Sequence, residues 1–515
     1  MTPRLTLINR DYTRLWFGQA VSSVGDAVFS TTLVLWVATV LAKDEAWAPL
    51  AVSGVLMASS VAVLGIGPLA GVFVDRWDKL ATLLRTEVVR GALVVVLTLV
   101  SLLPTDALPV GVWLALVYAT VLLLHASGQF FSPARFAILA DLVKGDADRA
   151  RAAGIGQATG ETAWIIGPPL AAPLLFAAGI QWALLFNAVT YAVSYVAIRS
   201  IEVPPATAGR AASASGAAAS GPAPARRRPS LRGEFADGVR FFARSRFLVV
   251  LLLLAVIGQF GLGALSTLNV FFTTDNLDAD AHLYGYIGMA MGIGGITGAL
   301  SGGRVVQWLG ARRSTWISLL VSGVLLIAYS RQTTFLGGIA LLFVFTVPLT
   351  VLNTAMAPLL LAAAPPDLRG RVMAVFYPVT KLASMLAAVL SGWLAGSVLT
   401  DVAGSVAGVR FGPIDTIFAV SGLVVVLSGV FAWLALPGTG TGTAAKDAGE
   451  SPGDGADVAP GAAGDGADVA PGAAGKQGDE AEPAPDGADA LTVDATAAAG
   501  PRGRGPHDDE RGRPE

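Results

Sequence analysis

The sequence predicts an all-α integral membrane protein of about twelve transmembrane helices arranged as two six-helix bundles. Three observations carry this: too little charge to cover a soluble surface, apolar blocks long enough to cross a bilayer, and loops whose basic residues alternate from side to side. Of the 515 residues, 54% are hydrophobic and 14% charged, against roughly 25% charged in a soluble domain. A crossing needs about 20 predominantly apolar residues, and blocks of that length recur along the chain. Only helices and closed barrels satisfy their backbone in lipid. Barrel strands would be about half as long and would alternate polar with apolar, so the spans are helices.

The first bundle starts at Leu15–Leu41, after a polar Met1–Arg14 that reads as no cleavable signal because no small-residue cleavage site follows. Pro49–Val74, Leu80–Leu103, Leu108–Phe131, Ala152–Ala178 and Ile180–Ser200 complete it. The second bundle takes Phe247–Phe272, Leu283–Val306, Ser314–Ser330, Phe335–Ala363, Val372–Leu399 and Pro413–Leu436. Loop charge tests this order. The N-terminus and the short even-to-odd loops carry fifteen basic residues, from Arg4 to Arg371, whereas the odd-to-even loops carry three, Lys43, Arg331 and Arg410. Basic loops stay in the cytoplasm, so both chain ends are expected inside, at the cell (inner) membrane. A missed or invented span would scramble the bias downstream, and it persists to the last loops.

The domain reading is 1–200 for the first bundle, 201–246 for a cytoplasmic linker with a surface helix, 247–437 for the second bundle and 438–515 for a disordered tail. The linker is rich in Ala, Ser, Pro and Gly, and includes Arg226-Arg227-Arg228, an ordinary topogenic cluster or one drawn to anionic lipid. Glu234–Arg246 mixes Phe235, Val239, Phe241 and Phe242 with charges and is expected along the inner membrane surface. The tail has no aromatic residue and repeats Asp454–Gly464 as Asp465–Gly475. It cannot bury a core. There are no cysteines and three scattered histidines, His125, His282 and His507, so no metal or cofactor is expected. No Gly-x-x-x-x-Gly-Lys-Ser/Thr loop is present for ATP, and scattered basic residues give no nucleic-acid surface.

Two loops six spans apart resemble each other. After span 2 the chain reads Gly71-Val-Phe-Val-Asp75-Arg76-Trp77-Asp78-Lys79, and after span 8 Gly303-Arg-Val-Val-Gln307-Trp-Leu-Gly310-Ala-Arg312-Arg313. Such internal symmetry belongs to secondary transporters built from two parallel repeats. These loops resemble the signature Gly-x-x-x-Asp-Arg-x-Gly-Arg/Lys of the major facilitator superfamily. The first copy keeps Gly71, Asp75, Arg76 and Lys79 but has Asp78 for glycine. The second keeps Gly303, Gly310, Arg312 and Arg313 but has Gln307 for aspartate. Asn9-Arg-Asp11-Tyr-Thr-Arg-Leu15-Trp16, Phe131-Ser-Pro-Ala-Arg135 and Pro366-Asp-Leu-Arg369-Gly-Arg371 resemble the macrolide- and siderophore-exporter branch, over about Asn9 to Leu436 without the linker. Span 5 keeps the Gly167-Pro168 of the antiporter branch, with Gly154 before it and alanines at three other glycine positions. The resemblance implies secondary active efflux of small amphipathic compounds by a monomer, with protons as the counter-ion. Uptake or lysolipid movement on the same fold is the alternative; a membrane enzyme and a transporter-like sensor are more remote.

Charges within spans are the candidate site. Each costs roughly 2.5–3.5 kcal/mol at a helix centre. Asp26, Glu161 and Lys381 lie inside spans 1, 5 and 11. A carboxyl withdrawn from water takes up a proton more readily, so Asp26 or Glu161 is expected to exchange a proton for a cationic substrate. The alternative is a structural ion pair, for instance with Lys381. Glu87 and Arg90 stand three apart on span 3 and are expected to pair. Arg135 and Asp141 are expected to join Asp75, Arg76 and Arg85 in a charge network that steadies one conformation. Asn187, Asn269, Trp16, Trp164, Phe376 and Tyr377 are further candidates for the cavity wall, against a packing role.

Overall fold

The structure, a computed structural model, describes residues 7–202, 239–365, 368–400, 402, 404–406 and 409–436. All of them belong to one compact unit, Met1–Gly440. The triple arginine, the tail repeat and most of the expected surface helix lie outside the described residues. The end of that segment, 239–244, is helical and buries Phe242.

Twelve α-helices of 20 residues or more are present among the described residues. They are α1 (Arg10–Trp36), α2 (Ala48–Val74), α3 (Lys79–Val100), α4 (Val110–Leu142), α5 (Asp146–Pro173), α6 (Ile180–Arg199), α7 (Arg246–Phe271), α8 (Tyr284–Leu309), α9 (Ala311–Ser330), α10 (Phe335–Ala363), α11 (Arg369–Trp393) and α12 (Pro413–Ala435). Eleven are long and apolar enough to cross a membrane. The exception, α3, has the length but carries Lys79, Arg85, Glu87 and Arg90 in 22 residues. Helices α4 and α5 overrun their apolar blocks, so Arg135, Asp141, Arg149 and Arg151 are helical rather than in a loop. Hydrophobicity marks the part in lipid, while backbone hydrogen bonding carries the helix on beyond it. A short hairpin, β1 (Gly404–Val406) with β2 (Val409–Phe411), joins α11 to α12.

The repeat is visible in the packing. In the first bundle α1 packs on α5 and α6, α2 on α4, and α3 on α4 and α6. The second bundle repeats each pairing six helices later: α7 on α11 and α12, α8 on α10, and α9 on α10 and α12. The bundles meet along α5 with α8 and α2 with α11, which are also equivalent pairs. Helices α1, α5, α7 and α11 each end in one π-turn, at Val37–Leu41, Leu174–Ala178, Phe272–Asn276 and Leu394–Val398. Aromatic clusters anchor each half: Trp36 meets Trp113 edge-on at 5.5 Å, and Phe272 meets Tyr329 at 4.7 Å and Phe418 at 5.2 Å.

The signature turns solve one problem twice. Asp78 caps α3, its carboxylate accepting from Ala81 N–H at 2.6 Å. Its counterpart Gly310 makes the α8–α9 turn at φ 80°, which a side chain rarely adopts. The departure of Asp78 from the signature is thus a different cap for the same corner. Asp78→Ala is expected to cost about 1 kcal/mol, and Gly310→Ala about 1–3 kcal/mol. Thermal unfolding in detergent, followed by tryptophan fluorescence, should lower the midpoint for both.

Candidate functional site

The charges of the first bundle converge where α1, α3 and α6 meet. Gly25 permits the meeting, because a β-carbon there would overlap Thr190 and Asn187 of α6. Close approach places Asp26 beside α3 and α6. Arg90 Nη2 donates to Asp26 Oδ2 at 2.7 Å. The Tyr191 hydroxyl donates to the other carboxylate oxygen, Oδ1. Arg90 also lies over the Tyr191 ring, 4.5 Å from its centroid, and 5.9 Å from the centroid of Phe131. Arg90 is nearly enclosed, at 10% side-chain exposure, while Asp26 keeps 35%. The carboxylate is therefore the accessible end of the pair.

It opens on a cavity of about 380 Å³. Polar wall groups include Gln19, Asp26, Glu87, Arg90, His125, Gln129 and Arg135, and Phe29, Leu124, Phe131 and Trp164 stand on the apolar side. Arg135 donates to Gln19 Oε1 at 2.9 Å, which ties α4 to α1 beside the cavity.

Several expectations need correction. Arg90 pairs with Asp26, not with Glu87, because α1 brings a carboxylate to it from the facing helix. Glu87, at 1% exposure, accepts instead from Ser194 Oγ at 2.8 Å. Lys381 does not pair with Asp26 or Glu161: it is exposed on α11, within electrostatic range of His125. Glu161 stays half-buried on α5, accepting from Gln157 Nε2 at 2.8 Å. The expected network at the signature loop is not assembled: Asp75, Arg76, Arg85 and Asp141 are exposed and make no ion pair with another described residue. Arg312 instead reaches the Trp433 carbonyl at 3.2 Å.

Exposed charges gain little by pairing. Call the end bearing Arg10 and the α2–α3 turn the near end. At the far end the bundles interlock: Gly288 of α8 has room only for Pro168 of α5, whose Cβ is 2.8 Å from where a β-carbon would stand. Gly392 of α11 likewise admits the Pro49 carbonyl of α2, at 2.6 Å. At the near end, Gly71, Gly154, Gly303 and Gly370 meet nothing within 4 Å. The bundles are closed at the far end and parted at the near end.

The sequence profile of the Major Facilitator Superfamily matches residues 15–388 and 262–477. The chain is a member of the major facilitator superfamily. It is a multi-pass membrane protein of that type. Putative bacilysin exporter BacE of Bacillus amyloliquefaciens is 31% identical over 190 residues, 37% of this chain; the chain spans 44% of that protein. The uncharacterized MFS-type transporter YkuC of Bacillus subtilis (strain 168) is 21% identical over 434 residues, covering 83% of this chain and 93% of that one. Among solved structures, nucleoside transporter NupG gives a TM-score of 0.61 at 12% identity, over 83% of this chain and 99% of that one. The bacterial homolog of the human lysosomal transporter Spinster, inward-facing and unoccupied, gives 0.58 at 12% identity over 83% and 96%. These structural likenesses establish the superfamily fold.

Tyr191 and Ser194 escaped the sequence reading. Their signal is a polar stripe, Asn187, Thr190, Tyr191 and Ser194, at helical spacing on an otherwise apolar span. All four are buried, where a lipid-facing reading would leave them exposed. Gly25→Val should destabilise the protein by about 1–3 kcal/mol through overpacking, with a lower unfolding midpoint in detergent. The same change at open Gly154 should leave the midpoint unmoved.

Proposed function

We propose that this transporter exports small amphipathic cations from the cytoplasm by alternating access, in exchange for protons entering the cell. The observation that carries the reading is Asp26: a carboxylate on a cavity with one apolar wall, held by a guanidinium and a phenol yet still accessible. Basic loops put the near end in the cytoplasm, so the arrangement described is the one that loads from inside. A cation entering there competes with Arg90 for Asp26. Aromatic and aliphatic side chains such as Phe131, Leu124 and Trp164 take its apolar body.

Export then needs the two ligands to favour different arrangements, since a ligand shifts an equilibrium only by its differential affinity. A bound cation neutralises Asp26 and favours closure of the near end; its release outside, with uptake of a proton by the site, favours return. Glu161 and Lys381 contribute from α5 and α11, helices that line opposite bundles and meet the partner bundle at the far end. The exporter name of the BacE relatives agrees with the outward direction. The protein acts as a monomer in the cytoplasmic membrane, since one chain contains both bundles.

Everted membrane vesicles with an imposed proton gradient and a pH-reporting dye test this. Lipophilic cations, macrolides and siderophores would be added to wild type, Asp26→Asn and Glu161→Gln. Substrate-evoked proton release is expected in wild type and should fall at least tenfold in Asp26→Asn. Substrate movement without proton release, in both directions, would contradict antiport.

A further inference from the structure

Glu87 has no role in the exchange described above, yet it is the most deeply buried acid of the first bundle. It is 1% exposed, and only Oε1 has a partner, the Ser194 hydroxyl. Oε2 has no hydrogen-bond partner among the described residues, and neither does Arg90 Nε. The two orphans belong together. Residues three apart on a helix share a face with about 5–6 Å between β-carbons, so Arg90 reaches Glu87 by a change of side-chain rotamer. In the arrangement described, its guanidinium is committed to Asp26 instead.

A buried carboxylate without an ion-pair partner carries a heavy desolvation cost, which it escapes by taking a proton. The groups around Glu87 and Asp26 are Arg90 on α3, His125 and Arg135 on α4, and Asn187, Tyr191 and Ser194 on α6. Of these only Arg90 is a full-time cation beside both acids. One guanidinium therefore serves two carboxyls, and the one it leaves must be neutralised another way.

We infer that Arg90 passes between Asp26 and Glu87, and that Glu87, not Asp26, holds the exchanged proton. When a cation takes Asp26, Arg90 turns to Glu87, and the Glu87 proton leaves to the cavity. When the cation departs, Arg90 returns to Asp26 and Glu87 takes up a proton. Charge balances at each step: one cation bound, one proton released. The inference rests on the export reading for its direction but not for the relay itself. The substrate and the proton then occupy different carboxyls, so they compete without sharing a site. Ser194 keeps Glu87 facing Arg90, and the Tyr191 ring supports Arg90 at the Asp26 end.

The relay has a spectroscopic signature in the purified protein that needs no transport. Wild type should show the infrared band of a protonated carboxylic acid, shifted in D2O, and Glu87→Gln should remove it. Asp26→Asn should remove the same band, because the freed Arg90 turns to Glu87 and ionises it. Asp26→Ala is a second lesion should Asp26→Asn fail to fold. A band that survives both Asp26 variants, or no band that depends on Glu87, would overturn the relay. Tetraphenylphosphonium added to wild type should bleach the band. A band lost in Asp26→Asn but unmoved by that cation would leave the relay standing and overturn the cation-export reading instead.

Discussion

A guanidinium and a carboxylate meet inside a helix bundle whose surroundings penalise both. The Asp26–Arg90 contact sits at the junction of α1, α3 and α6, and neighbouring features serve it. Gly25 gives α6 the room to approach, Tyr191 donates to the carboxylate while its ring lies under the guanidinium, and Phe131 covers the other flank. Helix α3 carries Glu87 and Arg90 well inside its length, and they are tolerable there because they face protein rather than lipid. Buried pairs of this kind stabilise little by themselves, since desolvation offsets most of the attraction. Their use lies in what happens when one partner is taken away.

The two bundles repeat each other in helix pairing, in π-turns and in the signature corners, but not in charge. Toward the far end the second bundle has a neutral contact, Tyr329 donating to Asn269, and an ion pair of its own, Arg331 with Asp415 at 3.1 Å. Its intramembrane cation, Lys381, stays exposed toward the first bundle's His125. The first bundle thus holds its ion pair at the cavity, whereas the second holds its pair at the far end and leaves Lys381 exposed in mid-helix.

The fold was largely readable in the residues because lipid imposes a length and a polarity on every span. The apolar blocks and the basic loops located twelve helices without any knowledge of packing. The site was readable only in part. Asp26 and Glu87–Arg90 stood out as misplaced charges, but Arg90's choice of partner depends on how α1 crosses α3, which spacing along one helix cannot supply. Tyr191 and Ser194 looked like ordinary polar residues in an apolar span until α6 was docked. The charge network expected at Asp75 and Arg76 failed for another reason: Asp75, Arg76, Arg85 and Asp141 stand exposed, and exposed charges gain little by pairing. Asp78 shows the reverse case, a departure from a signature that becomes a helix cap once its backbone is known.

In the exchange proposed, cation and proton occupy linked but separate carboxyls. Tetraphenylphosphonium binding to the purified protein in weak buffer, with proton release read by a soluble dye, addresses this directly. About one proton per cation bound is expected in wild type, binding without release in Glu87→Gln, and strongly weakened binding in Asp26→Asn. Undiminished binding to Asp26→Asn, or proton release that persists in Glu87→Gln, would contradict it.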